Sequence, residues 1–285
     1  MKSVVRRYFA NRATLGVAIL LVCVGAAVFA PFLANQNPYD LAQLNIMDSG
    51  LPPGSEGWDG HYYWLGTDEQ GRDLLSAILY GLRVSLFVAL ASTACALVVG
   101  VSVGLFAAYR GGAFDALLMR VVDLQLSFPS ILIALILLAA FGPGLDKVVL
   151  AITASQWAYF ARTIRSSAQA ERSREYIQAA QVLRYSSLRI MIVHLLPNSV
   201  AELGVVVAVE MASAVALEAT LSFLGIGLPI TQPSLGLLIA NGFSFMLVNK
   251  YWISVFPGLV LMAVLISFNM IGEHLRKINE PGYAA

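Results

Sequence analysis

Charge is scarce in this chain. Only 12% of its 285 residues are Asp, Glu, Lys or Arg, and the net charge is +1. A soluble domain carries roughly twice that share. Basic residues are too dispersed to form the stripe that a nucleic-acid surface needs, so nucleic acid is not expected as a partner. Two cysteines, Cys23 and Cys95, lie in separate apolar blocks and read as small packing residues rather than a disulfide or metal pair. Three histidines, His61, His194 and His274, stand in three different segments, without metal-ligand spacing. Ser, His and Asp do not converge as a nucleophile–base set would, so no catalytic residue and no enzyme activity are expected. No G-x-x-x-x-G-K-[ST] loop is present, so ATP is not expected to bind this chain.

Hydrophobicity is abundant. Apolar residues make up 58% of the chain, the mean hydropathy is +0.74, and the excess is gathered into blocks. About 20 apolar residues in a helix span the roughly 30 Å hydrocarbon core. The blocks predict an all-α polytopic membrane protein with spans at 15–34, 84–108, 122–141, 147–161, 200–224 and 251–272. Ser155, Gln156 and Arg162 shorten the apolar core of the fourth. The turn "FGPGLDK" separates the third from the fourth. The first span is too long for a signal-peptide core and reads as a retained anchor.

With the N-terminus inside, the tail at 1–14, the segments at 109–121 and 162–198, and the tail at 273–285 carry 14 of the 18 Lys and Arg. Only Arg72, Arg83, Lys147 and Lys250 fall outside. This bias predicts cytoplasmic termini. It places 35–83 outside, as a Pro/Gly-rich acidic loop ending in Tyr62, Tyr63 and Trp64. That loop is either an ordered cover over the extracytoplasmic mouth or a docking surface. Residues 84–272 form the core transmembrane region.

The cytoplasmic segment 162–198 has helical periodicity. Tyr176, Ala179, Ala180 and Leu183 fall at i, i+3, i+4 and i+7, with Glu175, Gln178 and Gln181 on the polar side. "YSS" breaks the run, Ser186 or Ser187 caps a second helix, and Leu188, Met191, Ile192 and Leu195 repeat the apolar spacing up to Pro197. Two short amphipathic helices either lie on anionic lipid or fill a partner's groove. The paired small alanines favour the groove.

Here the residues resemble a known family. "EYIQAAQVL…LRIMIVHLLPN" is similar to the cytoplasmic loop of permease subunits of binding-protein-dependent ABC importers. "LGTDEQGRDLLSAILYGLRVSL", "YRGGAFDALLMRVVDLQLSFPSILIAL", "LEATLSFLGIGLP" and "FNMIGEHLRKINEP" resemble further blocks of the dipeptide/oligopeptide/nickel permease group, in family order over nearly the whole chain. Gln178 stands where the family has Glu, and Arg184 where it has Gly. Because Arg in a left-handed conformation costs about 1–2 kcal/mol, the first helix is expected to run through Arg184 and turn at Tyr185–Ser187.

The resemblance implies a type I ABC importer subunit of the bacterial cytoplasmic (inner) membrane. Its implied partners are a second homologous permease, two cytoplasmic ATPases holding ATP and Mg, and an extracytoplasmic solute-binding protein. Coupling to an ATPase would run through Glu175, Tyr176, Gln178, Ala179, Ala180, Leu183, Arg184 and Leu188, with di- or oligopeptides, or nickel or a small peptide-like solute, as cargo. Glu210 and Glu218 are candidates for the translocation pathway, as intramembrane carboxylates. Eight residues apart, they lie about 80° apart on a helix and form no single relay face. They also keep open a rival reading, a proton-coupled secondary transporter. Asp123 is expected to pair with Arg120 or a helix end.

Overall fold

The computed structural model describes residues 2–40, 44–229 and 231–279, with the backbone alone at 2–11. The chain is mostly helical. Helix α1 (Lys2–Val28) takes in the predicted tail as well as the first span, and α2 (Ala30–Leu33) follows it. The outer segment folds into a small cap with one hairpin, β1 (Ser55–Glu56) against β2 (Tyr62–Tyr63), paired antiparallel with Ser55 opposite Tyr63.

The cap is organised by the "GTDEQGRD" block. Asp68 and Arg72 form a fully buried ion pair at 2.6 Å. Gly66 and Gly71 sit at φ 80° and 73°, and a Cβ at Gly71 would collide with the Asn45 carbonyl oxygen, so only glycine permits that close approach. The Trp252 indole donates to the Thr67 carbonyl at 3.3 Å, tying the cap to the start of the last helix. The predicted aromatic cluster divides. Tyr62 and Trp64 are exposed and meet edge to face at 5.0 Å. Tyr63 is buried and donates to Asp48, and burial together with the Asp48 carboxylate raises its phenol pKa.

The loop expected to reach residue 83 ends at Asp73. This side chain accepts from the Ser76 amide at 3.0 Å and caps α3 (Leu74–Arg110). Gly111, at φ 67°, ends α3 and opens α4 (Gly112–Ser127). The third predicted span is not one helix. α4 and α5 (Ser130–Phe141) meet at 89°, because Pro129 forces Phe128 into an extended conformation and denies the helix a donor. The predicted turn then leads into α6 (Leu145–Arg172), which continues for 28 residues, well past the predicted end of the fourth span.

After the segment predicted at 162–198 come α10 (Leu203–Phe223) and α12 (Trp252–Asn279). Between them lies a short helix, α11 (Leu235–Phe243), which the periodicity did not predict. Residues 280–285 of the predicted C-terminal tail lie outside the described residues. Helices α3, α10 and α12 are long and apolar enough to cross a membrane, and the bent pair α4–α5 adds a fourth crossing if counted as one. The apolar stretch of α1, Arg12–Val28, is shorter.

The most extensive pairing is α3 with α6. Gly100 and Gly104, one turn apart on α3, allow it: a Cβ at either would collide with the carbonyl oxygen of Trp157 or Ala161. Small residues at this spacing let helix backbones approach where lipid provides no hydrophobic drive. Cys23 is buried as expected, whereas Cys95 faces outward.

Candidate functional site

The segment predicted at 162–198 starts as the end of α6 and leaves that helix after Arg172. Helix α7 (Glu175–Val182) is followed by a turn, then α8 (Ser187–Arg189), a π turn over Ile190–Leu195, and α9 (Leu196–Ser199). Its floor is a small core in which Ile177, Ala180, Ile190 and Leu195 close on Leu105 and Ala108 of α3 and Ala168 of α6. Each fully buried Ile or Leu there contributes about 1.5–3 kcal/mol. Polar links fix the platform beneath. Arg165 forms a two-point ion pair with Asp115, at 2.6 and 3.0 Å, and Arg172 donates to the Ala108 carbonyl at 2.9 Å. Asp123 pairs with Arg162 rather than the expected Arg120, because the long α6 brings that guanidinium alongside α4.

The end of α7 corrects the sequence reading. The helix stops at Val182, and Arg184 takes φ 54°. The Tyr185 amide donates to Ala180 at 3.1 Å and the Arg184 amide to Gln181 at 3.0 Å. This is the six-to-one and five-to-two pairing of a Schellman end, with Arg184 in the left-handed position. Two recovered backbone hydrogen bonds, and the packing of Tyr185 on the floor, outweigh the conformational cost.

The face assignment is corrected too. Tyr176, Ala179 and Leu183 are exposed, but Ala180 is 4% exposed and points inward with Ile177. Over only two turns, the apolar pattern fits either set. Glu175, Gln178 and Arg184 are also exposed, and Val182, at 82%, extends the free face. Tyr176 donates to Glu171 at 2.7 Å, and burial together with that bond pushes its phenol up to about 12.

In the second half, Ser186 supplies the cap, accepting from the Arg189 amide. The π turn shifts the helical phase. Ile190 and Leu195 are buried, while Leu188 and Ile192 remain exposed. Pro197 does not end the helix, which continues to Ser199. The Leu196 amide reaches back five residues to Met191, and this widening before Pro197 relieves the clash that a proline makes with the carbonyl four residues earlier.

The two intramembrane carboxylates are not brought together. Glu218 is fully buried and accepts from Ser85 at 2.7 Å and Ser222 at 2.8 Å. Ser85 in turn accepts the Leu235 amide, so the carboxylate joins α3, α10 and the start of α11. Glu210 is 6% exposed, and its backbone carbonyl accepts from Gln156 at 2.8 Å. Its own Oε2 and the Gln156 Oε1 have no protein partner. Gln156, first read only as a residue that weakens a span, is the polar neighbour that residue spacing alone could not assign.

These features, an organised cap over residues 44–73, a bent helix pair and a knob seated on α3 and α6, can now be compared with known proteins. Residues 100–284 match the family described as binding-protein-dependent transport system inner membrane component. The chain belongs to this family. It is 39% identical over 97% of its length to a Brucella abortus protein assigned by name to a peptide transport system as a permease, covering 90% of that protein. It is 32% identical to the dipeptide transport system permease protein DppC of Haemophilus influenzae, over 94% of this chain and 90% of that one. An inward-facing structure of the MetNI methionine ABC transporter has the same fold. The TM-score is 0.57 at 14% identity, over 72% of this chain and 97% of the other. The chain is thus an inner-membrane permease of the importer class.

Proposed function

We propose that this permease forms half of the pathway of an ATP-driven importer for di- or oligopeptides. A second homologous permease supplies the other half. A solute-binding protein delivers the peptide from outside, and two cytoplasmic ATPases hold ATP and Mg. Both termini are cytoplasmic. The names carried by its relatives support peptide as cargo over nickel or another small solute.

The observation that carries the coupling role is the free face of α7. Tyr176, Gln178, Ala179 and Leu183 are exposed above a floor that is fully packed. A rigid support beneath a free face of Tyr176, Ala179, Val182 and Leu183 suits insertion into a groove, where motion of the ATPase would be passed to α3 and α6. Leu188 stands at the edge of this contact. Glu218, held by two serines, is a packing residue in this scheme. Glu210, with an unpartnered oxygen, is the pathway candidate.

Ala179→Asp tests the assignment, because the carboxylate would be desolvated only in the assembled complex. The variant should reach the membrane at the normal level, while ATPase co-purification and dipeptide uptake fall by more than about tenfold. Unchanged coupling in both Ala179→Asp and Val182→Asp would remove α7 as the docking element. Uptake should need the ATPases and survive collapse of the proton gradient.

A further inference from the structure

An apolar groove of about 460 Å³ opens beside the coupling segment, lined by Leu105, Phe106, Phe114, Leu118, Leu188 and Ile192 among others. Its walls come from three elements: the last turns of α3, the start of α4, and the second half of the cytoplasmic segment. Phe106 and Phe114 meet edge to face at 5.2 Å and form one side. On the other, Leu188 and Ile192 are 63% and 51% exposed. No other element of this chain covers the groove among the described residues.

Its rim is basic. Arg110 follows Phe106 by four residues on α3, so it lies one turn beyond the groove on the same helix face. Tyr109 donates to Ser187 at 3.1 Å, which brings this end of α3 against the start of α8. Arg189, in α8, directly follows the lining residue Leu188 and lies over the Tyr185 ring at 4.3 Å. Both arginines are exposed, and neither forms an ion pair among the described residues. Of the carboxylates nearest in sequence, Asp115 is paired with Arg165 and Glu202 accepts from Ser167, while Glu175 is exposed on α7.

We infer that the groove holds one anionic phospholipid of the cytoplasmic leaflet, its acyl chain against Phe106, Phe114, Leu188 and Ile192 and its phosphate between Arg110 and Arg189. Apolar walls at the end of a membrane helix, with Arg110 one turn further out and Arg189 adjoining the lining residue Leu188, match the two ends of such a lipid. Basic pockets between helices at a cytoplasmic surface recognise headgroups in this way. The lipid would form a third wall of the coupling segment, filling the space between α8 and α4 that the protein leaves open. The leaflet rests on the orientation proposed above, whereas binding itself does not.

The test uses the complete complex, purified through this chain and placed in nanodiscs of phosphatidylcholine with increasing phosphatidylglycerol. Native mass spectrometry should find one phosphatidylglycerol retained per copy of this chain. Arg110→Gln and Arg189→Gln should each weaken retention about fivefold. The double Lys variant should keep most of it, which separates loss of charge from loss of fold. Soluble glycerol phosphate should not displace the lipid, since the acyl chain is part of the fit. Equal retention of phosphatidylcholine, retention unaffected by the double Gln variant, or a groove filled by a partner subunit with no lipid retained would each overturn the inference. Labelling of Ser187→Cys from one side of sealed vesicles reports orientation separately, so a wrong leaflet and an absent site give different results.

Discussion

Arg184 shows how little of a local conformation depends on the residue that occupies it. Glycine would adopt φ 54° without cost, yet the chain makes the same helix end with arginine because Tyr185 and Ala180 close it. The sequence argument weighed a side-chain penalty of 1–2 kcal/mol and could not see the two backbone bonds on the other side of the balance. Arg184→Gly should therefore stabilise the chain by about 1 kcal/mol, and Arg184→Val should destabilise it by a similar amount. Thermal unfolding of the purified chain would show both. Glu69 makes the opposite case in the outer cap. Burial, and then the neighbouring Asp68, raise its carboxyl above the usual range. The folded chain thus keeps this proton to a higher pH than the unfolded chain does. Stability from this group is greatest below the ordinary carboxyl value and declines as pH rises through the raised one. Glu69→Gln should remove that decline, so the variant gains on the parent as pH goes from about 4.5 to neutrality. Unfolding measured across that range tests the sign.

Among elements, long apolar helices were legible because their signal is summed over many residues. The start of α10 and the end of α5 fall close to where hydropathy placed them. Short elements were less so. Eight residues of α7 support two choices of inner face, and only contact with Leu105 and Ala168 decides between them. The break at Pro129 was visible as a residue but not as an angle, since a proline in a membrane helix can end it, kink it or be absorbed. Helix α11 was missed because its inward face is set by Glu218 and Ser85, far away in sequence. That joint gives a sharp contrast. Glu218→Gln keeps an acceptor and a donor for the serines and should yield nearly normal amounts of folded chain. Glu218→Ala leaves Ser85 and Ser222 buried without their partner and should cost about 1–3 kcal/mol, read as lower yield and a lower melting temperature.

At the scale of the molecule, the family was carried by blocks of sequence spread over the chain, while the packing of one helix on another was not written in any one of them. The contact of α3 with α6 through Gly100 and Gly104 is such a case, since it joins residues more than fifty positions apart. Gly104→Val would drive a side chain into the Ala161 carbonyl. It should leave the chain in the membrane yet loosen the floor beneath α7, so ATPase co-purification should fall although no exposed residue has changed. A normal complex would show that the two helices can separate without disturbing the knob.

Helix α6 has one more consequence. It runs unbroken for 28 residues, about 42 Å, from the turn at Gly144 to Arg172 beside α7. A rod of that length is a lever. Tilting it by about 10° sweeps one end through about 7 Å relative to the other, more than one helical turn of travel. In the proposed importer, a small push on α7 would therefore become a displacement at the far end of α6 as wide as an amino-acid side chain.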